Sequence, residues 1–81
     1  MFKVGSVTWA NGWLSVAIAG LPKGDRLQVA IFYAHQPKRT VTTHSSTLTV
    51  ATQRPMRVVL RALKGQRQDG ATVTITKLAR P

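Results

Sequence analysis

The sequence predicts an all-β domain of about seven short antiparallel strands, folded as a sandwich or a small barrel. Three observations predict it. Apolar residues recur at every second position, as in Leu14, Val16 and Ile18 and again in Leu27, Val29 and Ile31. Turn sequences, among them Asn11-Gly12, Pro22-Lys23-Gly24-Asp25 and Asp69-Gly70, punctuate those runs at short intervals. Hydrophobic residues make up 43% of the 81 and charged ones 17%, which supplies apolar surface for one small core, while the chain is too short for two. Residues 1 to 81 therefore read as a single domain.

Asn11-Gly12 between Trp9 and Trp13 is the strongest local signal, because both residues tolerate the positive φ of a two-residue hairpin turn. Residues 3 to 18 then form a β-hairpin. In its second arm Leu14, Val16 and Ile18 alternate with Trp13, Ser15 and Ala17. In its first arm Phe2 and Val4 fall out of step with Val7 and Trp9, and Gly5 between them marks a bulge. After the turn at residues 22 to 25, Leu27, Val29, Ile31 and Tyr33 alternate with Gln28, Ala30, Phe32 and Ala34. This composition is that of a central strand, and Ala30 and Phe32 on the second face suggest that something covers it. Pro37 breaks the run, Thr40-Val41-Thr42 reads as an edge segment, and residues 47 to 50 alternate cleanly.

Residues 54 to 65 admit two readings. As a strand, Met56, Val58, Leu60 and Ala62 face inward while Arg57, Val59, Arg61 and Leu63 face out. As a helix, giving an α+β alternative, Pro55 occupies the first turn and Gly65 ends it. The strand is favoured by the β-branched pair Val58-Val59 and by a hairpin partner at residues 71 to 76 across Asp69-Gly70. The last strand is expected to end near Leu78.

The runs Thr47-Leu48-Thr49-Val50, Met56-Arg57-Val58-Val59-Leu60-Arg61-Ala62 and Ala71-Thr72-Val73-Thr74-Ile75 look like the last three strands of a fibronectin type III or immunoglobulin-like domain. The likeness is confined to the C-terminal half; the Cys pair and the core Trp of that pattern are absent. The resemblance implies an immunoglobulin-like sandwich of seven strands in two sheets, used for adhesion or assembly.

Charge narrows the chemistry. Twelve Lys and Arg face two Asp and no Glu, for a formal net charge of +10. Carboxylate bases and oxygen-rich metal sites are almost out of reach for such a chain. Without cysteine there is neither a disulfide framework nor a thiolate zinc site. His35 and His44 flank the Pro37 break and lack further ligands, so they read as surface histidines. Ser45 and Ser46 beside His44 have no carboxylate to orient an imidazole. The glycines match no phosphate-binding loop. Catalytic residues, metals and cofactors are not expected, and the chain is not read as an enzyme.

Nine of the twelve cations fall into three groups: Lys23 with Arg26, Lys38 with Arg39, and Arg54, Arg57, Arg61, Lys64 and Arg67. The third is the densest. On a strand, Arg57 and Arg61 share an outward face with Val59 between them, and Phe32 joins it if the neighbouring strand pairs there. Phe32, Arg54, Arg57, Val59, Arg61, Lys64 and Arg67 are therefore the candidate partner-binding residues, since Arg and aromatics favour interface cores. An acidic partner would also relieve the repulsion among these cations.

The leading expectation is a non-enzymatic structural or binding module that docks on an acidic protein surface or multi-subunit assembly, as a virion structural or capsid decoration component. The alternative is a small basic β-barrel that binds nucleic acid through phosphates, with nucleic acid as its partner. A homo-oligomer is left open. Met1, Lys3 and Ala17-Ile18-Ala19 imitate a signal peptide, but Asn11-Gly12 interrupts the apolar run, so no export signal is expected and the place of action is a virion or the host cytoplasm. The longest mostly apolar stretch, residues 13 to 21, is too short for a membrane-spanning helix.

Overall fold

A computed structural model describes residues 2 to 76 and residue 78. These residues form strands β1 (Lys3–Ala10), β2 (Trp13–Ala19), β3 (Arg26–Phe32), β4 (Arg39–Thr43), β5 (Thr47–Ala51), β6 (Arg57–Lys64), β7 (Arg67–Gln68) and β8 (Val73–Ile75), with no helix among them. Strands β1-β2-β5 make the smaller sheet. The larger runs β4-β3-β6-β7, with β8 also on β6. All pairings are antiparallel. The sheets remain two layers rather than closing into a barrel. β2 pairs with β5 in one layer while β3 pairs with β6 in the other, so the chain crosses between layers and interlocks them.

Alternation drives this arrangement. Leu14, Val16, Ile18 and Val50 of the smaller sheet meet Leu27, Val29, Ile31, Val58, Leu60 and Ala62 of the larger one in a single core. The β1–β2 turn has positive φ at Asn11 (53°) and Gly12 (84°), as a type I′ turn requires. The register shifts between Val4 and Ser6, so Gly5 is the bulge the sequence suggests. The shift lets Phe2 and Val7 both reach the core despite their odd spacing. A Cβ at Gly5 would stand 3.2 Å from the Ala17 carbonyl oxygen, which explains the residue chosen there. β4 is an edge strand, as Thr40-Val41-Thr42 predicts.

Residues 57 to 64 are a strand, and the helical alternative over 54 to 65 is overturned. Seven rungs from Arg26↔Leu63 to Phe32↔Arg57 bind β6 to β3. Two facing assignments also need correction. Met56 is 54% exposed rather than inward: it precedes β6, where its backbone N–H donates to the Phe32 carbonyl while Pro55 takes the buried place. Leu63, expected outward, is only 8% exposed. Arg26 lies opposite it and reaches past it to donate to the Gly65 carbonyl, so its methylene stem covers Leu63.

The C-terminal hairpin is also built differently from its expected form. The chain reverses at Gly65-Gln66, where Gly65 has φ of 63°, and not at Asp69-Gly70. Residues 69 to 72 instead form a jog between β7 and β8, and the final strand ends at Ile75 rather than near Leu78. Eight strands replace the seven predicted because the short β7 forms before Asp69-Gly70, where a turn was expected. Among the described residues, no helix is long and apolar enough to cross a membrane.

Candidate functional site

The outer side of the larger sheet gathers the candidate residues. Along β3 the outward positions are Arg26, Gln28, Ala30 and Phe32; along β6 they are Leu63, Arg61, Val59 and Arg57. Each faces its counterpart across one rung: Arg26 with Leu63, Gln28 with Arg61, Ala30 with Val59 and Phe32 with Arg57. β4 adds Thr40 beside Ala30 and Thr42 beside Gln28, and β8 adds Thr74 beside Val59. Strand rise sets Arg57 and Arg61 about 13 Å apart along the face.

A groove of about 290 Å³ runs over this surface, lined by Gln28, Ala30, Phe32, Lys38, Thr40, Val59, Arg61 and Thr72. Its floor is apolar and small. Its sides are cationic or hydroxylic. The Arg57 guanidinium carbon lies 4.2 Å from the Phe32 ring centroid, and the Lys38 ammonium lies 5.8 Å from the same centroid. Arg61 Nε donates to Gln28 Oε1, which orients the guanidinium along the sheet. Both Asp residues lie elsewhere. Asp25 is buried at the far end of the core and Asp69 is beside it, so the groove has cations without a carboxylate among them.

Four of the seven candidates therefore come together: Phe32, Arg57, Val59 and Arg61. Phe32, Val59 and Arg61 line the groove and Arg57 lies over the Phe32 ring, whereas the other three candidates lie apart from it. Arg54 is exposed in the segment between β5 and β6, while Lys64 and Arg67 face each other across the β6–β7 turn. Sequence reasoning placed Lys38 in a separate basic pair and passed over Thr40 and Thr72. Lys38 joins the face because Thr40 pairs with Ala30 and draws the preceding residues alongside Phe32. Its neighbour Arg39 points away, donating through Nη1 to the Ala51 carbonyl at 3.2 Å.

His35 and His44 are exposed, and among the described residues no group of three or more His, Cys, Asp or Glu is placed to hold a metal ion. Compared with known proteins, the chain matches no family model, no curated protein and no solved structure.

Proposed function

We propose that the protein is a non-enzymatic binding module that docks the outer face of its larger sheet on an acidic protein surface. One observation carries this reading: Lys38 and Arg61 line a groove with a small apolar floor of Ala30, Phe32 and Val59, Arg57 lies over the Phe32 ring, and no carboxylate lines the groove. A cationic rim around an apolar centre suits carboxylates of a partner whose own apolar atoms meet the floor. The state of Phe32 favours protein over nucleic acid. Single strands bind by stacking bases on free aromatic faces, and here both Arg57 and Lys38 already lie against the one aromatic ring of the groove.

A finer reading adds the partner's character. A small module with this charge is suited to a multi-subunit acidic shell such as a virion, in the host cytoplasm or on the particle, where many weak sites act together. The two interlocked layers support an immunoglobulin-like module of the kind used in assembly.

The test is fluorescence anisotropy of nuclease-treated protein against labelled poly-glutamate and against single- and double-stranded nucleic acids, at low and physiological salt. Binding of the acidic polypeptide that survives physiological salt and disappears in R57E/R61E is the expected result. Nucleic-acid binding that survives the same salt would transfer the face to the alternative partner. Full binding by R57E/R61E would remove the face from consideration.

A further inference from the structure

The two acidic side chains of the whole sequence, Asp25 and Asp69, meet in the fold. In a chain with twelve cations this is an unexpected pairing. The sheet register explains how it arises. Leu27 lies opposite Ala62, and the Asp69 backbone N–H donates to the Ala62 carbonyl at 2.8 Å. Asp25 and Asp69 thus flank β6 on its inward side, and Ala62 between them carries only a methyl group. Asp25 is held there by its own turn, whose backbone N–H donates to the Pro22 carbonyl at 3.0 Å.

Asp25 is 3% exposed, and both of its carboxylate oxygens are buried without a donor among the described residues. A buried ionised carboxylate in that condition is strongly disfavoured. Among the described residues, the Asp69 carboxyl is within hydrogen-bonding reach, and it offers a donor only when one of the two acids is protonated.

We infer that Asp25 and Asp69 share one proton and form an acid-stabilised latch that fastens the β2–β3 turn to the β6–β7–β8 end of the larger sheet. The proton comes from solvent and returns to it. Asp25's carboxyl is raised above its ordinary value of 3.8, first by the hydrogen bond with Asp69, then by burial, then by repulsion from the Asp69 charge. Lys64 acts in the opposite direction. Arg26 is turned to the outer side, on the Gly65 carbonyl.

The direction of the pH dependence follows. The folded chain holds the shared proton more tightly than the unfolded chain, where the carboxyls titrate near their ordinary value. The latch is therefore fully stabilising below that ordinary value, and its contribution is lost as pH rises through the raised folded value. This is the reverse of the usual protein carboxylate, and with no other side-chain carboxyl in the sequence little masks it.

The experiment combines thermal melts of the full chain over pH 3 to 8 with a ¹³C NMR titration of both Asp carboxyls. The wild type should lose melting temperature as pH climbs above about 4, and its two carboxyls should titrate in two separated steps. D25N supplies an amide donor to Asp69 at every pH, so it should flatten the profile and melt above the wild type at pH 8. D69N does the same with the roles exchanged and serves if D25N folds poorly. A single titration step for both carboxyls near the ordinary value would overturn the latch, as would a wild-type stability that rises with pH over this range. A rise in melting temperature with calcium or magnesium chloride at pH 7, reversed by EDTA, would overturn the shared proton in favour of a bound cation.

Discussion

Arg57 lies over Phe32, guanidinium carbon to ring centroid at 4.2 Å, on the rung where β6 and β3 bring the two residues opposite each other. The pairing joins the densest basic run of the sequence to the one large aromatic on the outer face of β3. If the contact is a cation–π interaction, the two side chains are energetically coupled. A double-mutant cycle of F32A and R57A, read from urea midpoints, should return a coupling of about 0.5–1 kcal/mol, the range for exposed pairs. Additive single effects would show that the contact contributes only shape.

The core tolerates little. Ile31 and Leu60 are completely buried in the middle of the larger sheet. Replacing either by Ala should cost about 2–5 kcal/mol, a large part of the stability of a small domain. Chemical denaturation at pH 6 would measure it, and loss of under about 1 kcal/mol would contradict the packing described.

At the β1–β2 turn the expected cost comes from backbone alone. A Cβ on Gly12 would meet nothing within 4 Å, yet the φ of 84° is unfavourable for an L side chain. Gly12→Ala should therefore destabilise by about 1–2 kcal/mol, and Gly12→Asn by less, because Asn tolerates positive φ. Equal melting points for all three proteins would rule out strain at this position.

The two tryptophans should report different environments. Trp9 is half-buried against the core with Nε1 donating to the Thr52 carbonyl at 3.1 Å, whereas Trp13 is 52% exposed. Emission of W13F should be blue-shifted and resist acrylamide, while that of W9F should be red-shifted and quench readily. The reverse pattern would mean the hairpin faces the other way.

Much of the fold was legible because it rests on alternation. β2 and β3 bury every second residue, the β1 bulge was visible in the broken spacing around Gly5, and the Val58-Val59 pair favoured strand over helix. What failed depended on neighbours rather than on period. Leu63 sits at an outward position, but Arg26 covers it, and Met56 turns out because Pro55 fills the inside before the strand begins. The site divided in the same way. Phe32, Arg57, Val59 and Arg61 follow from the facing of two strands, whereas Lys38 requires knowing that β4 lies on the far side of β3. The meeting of Asp25 and Asp69 required the place of β7 beside β6, which the Asp69-Gly70 turn signal misstated.

The interlocking of β2–β5 with β3–β6 also sets an order of events during synthesis. When Ala51 has been added, the smaller sheet has all its strands, but its apolar side faces only the β3–β4 hairpin, because β6 has not been made. The contact between Gln28 and Arg61 spans 33 residues, and closing it waits for most of the chain. Distant pairings of this kind make folding slow and concerted. A chain that stalls before residue 57 would carry its hydrophobic interior uncovered, and its unpaired β3 edge would be open to other nascent chains.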